Sequence, residues 1–239
     1  MQYRHSKDDN FDDLACGKAL IGRAGFPNFP VRLAQEMFGR CLNYLGRERE
    51  LCVYDPCCGG GYLLAVLGFL NLDKVAAFAA SDIDAEAVAL ARDNLSLLTR
   101  EGLKRRLARL EELYALHGKE SHREAAAAAR RLMNMLPDAE REVERHVFQA
   151  DILRESALDG QAFRADVVVT DVPYGGLTSW QGGREGAGAL LDRLVPILKQ
   201  DSVVAVCADK GQKFASPRFR RLEHQSVGKR AFAIFALKE

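Results

Sequence analysis

Long apolar runs, paired cysteines and an excess of charge of one sign are all missing from this sequence of 239 residues. No stretch approaches the ~18 consecutive apolar residues of a membrane-spanning helix, and the N-terminus lacks the apolar segment of a secretory signal. The six cysteines form no C-x-x-C pair, and the histidines are not spaced with them as zinc ligands. We therefore expect a cytoplasmic protein without a metal site.

The charge balance is nearly even, with 34 Lys and Arg against 33 Asp and Glu and a formal net charge of +1. This balance excludes a uniformly basic protein whose partner could be deduced from net charge. It leaves room for local basic patches, because clustered charge decides nucleic-acid binding more than the sum does. With 48% apolar and 28% charged residues, the composition is typical of a globular protein, and the length predicts a single domain over 1–239.

Apolar, β-rich runs alternate with helical patterns along the chain. The alternation predicts a doubly wound α/β fold, and the unbroken valine and alanine runs predict parallel strands that are buried on both faces. A closing hairpin around Gly228 would bring the sheet to seven strands. The predicted strands are 51–54, 75–80, 147–149, 165–170, 202–207, 218–227 and 230–237, with helices over 63–72 and 85–98 between the first three.

Two segments fall outside this repeat. An amphipathic helix over 31–45 lies in an N-terminal extension, 1–47, and a helical insertion spans about 99–140. The insertion is rich in arginine and lysine, and two interpretations remain open. It is either a solvated helical hairpin or a substrate-docking element in which Arg105 and Arg106 contact RNA phosphates.

A glycine-rich loop follows the first strand, where an open α/β sheet binds a nucleotide-like ligand. The dinucleotide pattern G-x-G-x-x-G is incomplete, because Leu64 stands at the third glycine position. S-adenosylmethionine (SAM) fits better, since its ammonium group can pair with Asp55 at the end of the strand. The other loop residues predicted to contact the cofactor are Pro56, Cys57, Gly59, Gly61 and Tyr62.

Acidic residues also follow the next two strands. Asp82 is placed to accept both ribose hydroxyls, as an acidic residue about 20 positions beyond the glycine loop does. Asp84 either makes a second contact beside Ile83 or caps the following helix. Asp151 and Ile152 are predicted to meet the adenine amino group and ring, with Asp151 as a plain helix cap being the alternative.

The fourth strand ends in Asp171-Val-Pro-Tyr-Gly. A carboxylate, a rigid turn and an aromatic ring at one sheet edge suit methyl transfer to a nitrogen of a planar base. Asp171 would accept the N–H that is activated, while Pro173 and Tyr174 would shape the pocket and stack the base. A simple turn is the alternative interpretation.

Further candidate substrate contacts follow this motif. Trp180 stands in a glycine-rich loop over 175–188, where it could stack on RNA or close over the target base. A basic segment over 210–230 includes Lys213, and phosphate contact is its functional interpretation. Solvated surface remains the alternative for any one of these cations.

Taken together, these blocks resemble the family of avilamycin-resistance 23S rRNA guanine methyltransferases (the AviRa family) of class I SAM-dependent enzymes. The similarity runs nearly end to end, and it is most specific in FPVRLA at 29–34, DPCCGGGYLL at 55–64 and DVPYG at 171–175. It implies a Rossmann-like methyltransferase fold, SAM as methyl donor and a guanine of 23S rRNA as substrate, with N1 favoured and N2 possible. The segment around Arg32 would lie against the methionine end of the cofactor.

One residue departs from the pattern of enzymes that methylate exocyclic amines. These enzymes usually carry two prolines after the acidic residue or asparagine, whereas Val172 stands at the first position here. The departure favours a ring nitrogen.

The resemblance further implies 23S rRNA or the large ribosomal subunit as partner, and resistance to an orthosomycin-type antibiotic as a biological role. We expect a monomer. The alternatives are an amino-methyltransferase acting on DNA adenine or a protein amide, and a non-catalytic RNA-binding module on the same fold.

Overall fold

A seven-stranded sheet forms the centre of the molecule in the computed structural model, with the strand order β3-β2-β1-β4-β5-β7-β6. The strands are β1 (Leu51–Asp55), β2 (Val75–Asp82), β3 (Glu144–Gln149), β4 (Ala165–Asp171), β5 (Leu198–Asp209), β6 (Phe219–Val227) and β7 (Arg230–Leu237). The structure describes residues 1–15, 17–23, 28–137, 143–172, 186–212 and 214–238.

The first five strands are parallel, and β7 and β6 close the sheet as an antiparallel hairpin. This confirms the predicted doubly wound α/β fold with seven strands. Two strands start earlier than the apolar pattern indicates, β3 at Glu144 and β5 at Leu198. β3 begins with the exposed residues Glu144 and Arg145, and in β5 the polar residues 199–201 separate Leu198 from the apolar run, so the sequence carries no continuous apolar signal there.

Helices cover both faces of the sheet. They are α1 (Val31–Leu45), α2 (Tyr62–Asn71), α3 (Ala85–Ser96), α4 (Arg100–His117), α5 (Glu120–Met135) and α6 (Gly186–Leu194). The larger apolar cluster on one face draws residues from α1 to α5, with α4 and α5 packed on each other and on α3 and the N-terminal segment. A second cluster with Leu190 and Leu191 of α6 covers the other face. None of the described helices combines the length and the apolar character that crossing a bilayer requires.

The N-terminal segment is fastened to α1 by one buried carboxylate. Glu36 accepts hydrogen bonds from the backbone N–H groups of Arg4 and His5 at 2.8 and 2.7 Å, and its other oxygen accepts from Arg40 Nε at 2.7 Å. Burial alone would raise the pKa of Glu36, but these donors outweigh it and hold the pKa below its usual value. The extension is thus part of the folded body.

The insertion is a pair of helices joined at Gly118. Thr99 caps α4 by accepting from the Gly102 N–H at 3.0 Å, and Gly118 ends α4 with a φ of +61°. Leu103 and Leu110 of α4 are buried together with a row of alanines on α5. The predicted helical stretch therefore divides into two helices, each of which buries an apolar side.

Candidate active site

The strand order reverses between β1 and β4, and this switch point brings two predicted site residues to one edge. Asp55 ends β1 and Asp171 ends β4, and the two strands pair directly through Val53 with Val167. In open α/β sheets, ligands bind outside the carboxyl ends of the strands at such a point. The topology thus unites residues that lie 116 positions apart in the sequence, the difference between 171 and 55.

Asp55 is a buried carboxylate, 2% exposed, at the base of this edge. Its Oδ1 accepts hydrogen bonds from Thr170 Oγ1 at 2.7 Å and from the Cys57 N–H at 3.1 Å. Burial raises the pKa of Asp55 to about 7, the two hydrogen bonds oppose this shift, and the charges of Asp82 and Asp171 add to it. Such a group gains strongly from a cation brought by a ligand.

The glycine loop between β1 and α2 approaches α3 closely. Gly61 adopts a φ of +72°, and a Cβ at this position would lie 2.8 Å from the Ala91 Cα. The Gly59 N–H donates to Asp82 Oδ2 at 2.8 Å, which ties the loop to the end of β2. Glycine is therefore required at position 61 for both conformation and space.

The residues after β2 have separate roles in the structure. Asp82 accepts backbone hydrogen bonds from Gly59 and from Asp84 at 3.0 Å, and burial raises its pKa. Asp84 caps α3 by accepting from the Glu86 N–H at 2.8 Å, so the capping interpretation is confirmed. Ile83 is 49% exposed, which leaves its side chain available to a ligand ring.

Asp151 and Ile152 follow β3 at the same edge of the sheet. Asp151 accepts from the Leu153 N–H at 3.1 Å and lies 3.6 Å from Arg154, so it organises the turn that it begins. Ile152 is buried at 5% exposure. A contact of either residue with adenine stays a prediction.

Other loop residues serve the scaffold. The hydroxyl of Tyr62 donates to the Leu14 carbonyl at 2.8 Å and so ties α2 to the N-terminal segment. The Pro56 carbonyl accepts from Ser81 at 3.3 Å. Burial raises the pKa of Cys57 well above its usual value, so its thiol stays protonated.

Arg230 is a site residue that the sequence pattern did not single out. Its guanidinium lies 3.8 Å from Asp171 Oδ2, with both side chains about four-fifths buried, and 5.4 Å from the centre of the Phe29 ring. In the sequence, Arg230 is one of several cations in a basic segment. Only the antiparallel return of β7, which pairs Arg230 with Asp209, brings it to the carboxyl edge.

The structure places Arg105, Arg106 and Arg32 in contacts with the protein itself. Arg105 pairs with Glu101 at 3.3 Å, while Arg106 donates to the carbonyls of Lys18 and Ala19, both at 3.0 Å. Arg32 donates to Asp8 at 2.8 Å and its guanidinium lies over the Tyr3 ring. Arg106 and Arg32 thus hold the N-terminal segment.

Comparison with known proteins decides the family. The family model described as rRNA methyltransferase AviRa matches residues 1–230. The chain belongs to the AviRa family. It is 38% identical, over 97% of its length and 94% of the relative's, to the 23S rRNA (guanine(2535)-N(1))-methyltransferase of Streptomyces viridochromogenes.

Solved structures agree with this AviRa assignment. The rRNA methyltransferase AviRa from Streptomyces viridochromogenes superposes with a TM-score of 0.87 at 37% identity, covering 99% of this chain and 96% of that one. TrmN from Thermus thermophilus shares the fold alone, with a TM-score of 0.55 at 16% identity over 90% of this chain and 51% of its own. AviRa membership agrees with the rRNA methyltransferase interpretation and not with the DNA, protein-amide or non-catalytic alternatives.

Four of the predicted site residues lie outside the part of the chain that the structure describes. They are Pro173, Tyr174, Trp180 and Lys213. Their assigned roles stay predictions.

A cavity of about 380 Å³ lies between the segment after β5 and the β6–β7 hairpin. All of its charged or titratable lining residues are basic: Lys210, Arg221 and His224. Gln212, Phe214 and Phe232 supply the rest of its polar and aromatic wall. A larger cavity of about 600 Å³, with Tyr44 and Asp201 in its wall, lies at the opposite end of β5 and away from the carboxyl edge.

Proposed function

We propose that this AviRa family member transfers a methyl group from SAM to N1 of a guanine in 23S rRNA. The observation that carries the proposal is Asp55, a buried carboxylate at the switch point that forms no salt bridge with the described residues. A ligand ammonium would supply the missing charge. The relative named as a guanine-N1 methyltransferase of 23S rRNA supports the substrate.

The residues at the carboxyl edge fit SAM in order along its length. Asp55 would pair with the ammonium group, and Asp82 would accept from the ribose hydroxyls, with Asp84 as a second contact. Exposed Ile83 would pack on the adenine, which Asp151 would meet at its amino group. When bound, SAM supplies an electrophilic methyl group, and the electron pair of the broken C–S bond stays on sulfur.

Asp171 would accept the proton that leaves the target base. Guanine N1 carries a hydrogen that must leave as the nitrogen forms its bond to the methyl carbon, and the Asp171 carboxylate at the end of β4 would accept it. Tyr174 would stack the base, which must first leave its helix or loop to reach the edge. Val172, where exocyclic-amine enzymes usually carry proline, is in keeping with a ring nitrogen.

RNA would approach over the basic cavity beside the site. Lys210, Arg221 and His224 are exposed and line one cavity, over which a strand bearing the target base would pass. Contacts of these side chains with RNA phosphates would position the RNA on the protein without recognising its base sequence. Trp180 and Lys213 are proposed to extend this surface.

The cellular setting follows from the substrate. We place the protein in the cytoplasm as a monomer that acts on 23S rRNA or on the large ribosomal subunit. Resistance to an orthosomycin-type antibiotic would follow if the methyl group lies in the drug's binding site. Drug sensitivity of a host with and without the gene tests this role.

The function itself is tested with purified protein, methyl-labelled SAM and three substrates: 23S rRNA, duplex DNA and ribosomal protein. We expect label only in the rRNA, as N1-methylguanine when nuclease fragments are weighed by mass spectrometry. Label in DNA or protein alone would refute the proposal. Asp171→Asn provides the inactive control.

A further inference from the structure

We propose that Arg230 binds O6 of the target guanine, stabilises the negative charge that develops there, and makes the site specific for guanine over adenine. This inference rests on the proposed function. It assigns to Arg230 a contact with the reacting base rather than with an RNA phosphate.

The sheet register aims Arg230 and Asp171 at the same space. Asp171 pairs with Cys207, and Cys207 pairs with Phe232, so these three side chains project from one face of the sheet. Arg230 lies two positions before Phe232 and therefore projects from that face as well. Its Nη2 lies 3.8 Å from Asp171 Oδ2, so a base edge that reaches one of the two groups also reaches the other.

The N-terminal extension supplies an aromatic contact to the guanidinium. Phe29 is 5% exposed, and its ring lies under the Arg230 guanidinium with 5.4 Å between centres. A guanidinium over an aromatic face is attracted to the ring, which restricts the positions that the guanidinium adopts. Arg230 is therefore partly ordered before a base binds, and it loses little conformational entropy on binding.

The chemistry of N1 methylation needs a positive group at this place. As the N1–carbon bond forms, the N1 proton passes to Asp171, and the charge of the deprotonating base is shared between N1 and the adjacent O6. A guanidinium N–H donated to O6 stabilises this charge as an oxyanion hole does. The same contact makes the N1 proton more acidic.

The pair also matches guanine and opposes adenine. Guanine offers a donor at N1 and an acceptor at O6, which complement the carboxylate and the guanidinium. Adenine carries an amino donor at C6 and no proton on N1, so both contacts become repulsive or unpaired. Mismatched polar groups in a desolvated site reject a substrate far more strongly than a lost apolar contact does.

The surroundings of Arg230 disfavour a phosphate. Asp171 is its immediate neighbour. Asp171 in turn lies near Asp55 and Asp82, since the charges of Asp171 and Asp82 raise the pKa of Asp55. A phosphate entering this space would meet these carboxylates. A neutral base meets no such penalty.

The variant Arg230→Gln tests the inference, with the exposed neighbour Lys229→Gln as matched control. We expect kcat on guanosine-containing rRNA to fall by about 10²- to 10³-fold, with Kd for RNA and for SAM within about threefold of wild type. The variant's rate should keep rising at pH values where the wild-type rate has levelled off, because Arg230 no longer assists N1 deprotonation. Arg230→Lys should restore part of kcat.

A second arm leaves the protein unchanged and alters the target base. Inosine keeps N1–H and O6, so wild type should methylate it, whereas adenosine at the same position should remain unmodified. Adenosine methylated as fast as guanosine, or an Arg230→Gln deficit confined to KM, would overturn the inference while the proposed function stands. Wild type that methylates no guanine at all would overturn the proposed function instead.

Discussion

The carboxyl edge of the sheet and the helical insertion carry their charges in different ways. Arginines of the insertion pair with acids close by, as Arg105 does with Glu101 and Arg109 with Glu112. At the edge, carboxylates stand near one another, and the charges of Asp82 and Asp171 raise the pKa of buried Asp55. Several arginines of the insertion are thus paired within the protein, whereas the edge holds closely spaced carboxylates that a cationic ligand would neutralise.

This difference shows why counting charges along the sequence does not locate a site. Exposed ion pairs contribute about 0 to 1 kcal/mol and leave little net field for a partner. Buried carboxylates cost desolvation energy, and a fold that keeps them without a cation is suited to a cationic ligand. The edge is therefore expected to respond strongly to charge changes, and the insertion weakly.

The largest effect is expected from Asp171→Asn at the edge. The amide cannot accept the N1 proton, so kcat should fall by about 10²- to 10⁴-fold, while SAM affinity measured by calorimetry changes by less than about threefold. Asp93→Asn, an exposed carboxylate on α3, is the control and should leave both unchanged. Equal losses of turnover and SAM affinity in Asp171→Asn would assign Asp171 to the cofactor instead.

The pH dependence of SAM binding is expected to follow Asp55. In the free protein its raised pKa of about 7 leaves the carboxyl protonated below that pH. Pairing with an ammonium favours the ionised form, so binding releases a proton, and affinity should rise with pH by up to about tenfold per unit until about pH 7. Calorimetry between about pH 5.5 and 8.5 measures this.

Asp55→Asn is the control for that pH dependence. The amide should bind SAM weakly at every pH and show no rise toward pH 7. If the variant retains the wild-type change of SAM affinity with pH, the proton released on binding comes from another group. Asp82 is a candidate, because burial also raises its pKa.

Next in size is the loss of two cations from the cavity beside the edge. Lys210→Gln with Arg221→Gln should weaken rRNA binding by about an order of magnitude and lower the slope of log K against log salt by about 1.5 to 2. The matched pair Arg105→Gln with Arg109→Gln on the insertion should change neither. A larger loss from the insertion pair would reverse the assignment of the RNA surface.

Much of the fold could be predicted because its signals are local. Unbroken runs such as 165–170 indicate strands buried on both faces, and α1 occupies the predicted range, Val31–Leu45. Asp55 and Asp171 could also be selected, since each directly follows a strand. A carboxylate at the end of a parallel strand lies at the carboxyl edge of the sheet, where ligands bind, and this placement does not depend on contacts with distant segments.

The rest depends on contacts between distant segments. Arg230 reaches Asp171 only through the β5–β7 pairing, and Phe29 reaches Arg230 only after the N-terminal extension folds onto the sheet. Similarly, Arg106 contacts carbonyls 87 and 88 positions away. Local sequence patterns do not reveal such contacts, so the sequence does not distinguish Arg106 from Arg105.

The smallest effect is expected within the insertion, where substitutions of Arg106 and Arg105 should change the free energy of unfolding by different amounts. Arg106→Ala removes two hydrogen bonds that a half-buried guanidinium donates to the N-terminal segment, so we expect the free energy of unfolding to fall by roughly 1 to 2 kcal/mol. Arg105→Ala breaks an exposed pair and should change it by less than about 0.5 kcal/mol. Denaturant unfolding measures both.

RNA binding by the same two variants separates structure from docking. With Arg106 engaged by Lys18 and Ala19 and Arg105 by Glu101, both variants should keep the wild-type affinity for rRNA and its salt dependence. A lower salt slope for Arg105→Ala alone would mean that this arginine leaves Glu101 for a phosphate when RNA arrives. In that case the insertion and the basic cavity would both be docking surfaces for RNA. The ion pairs within the insertion would then form only in the protein without bound RNA.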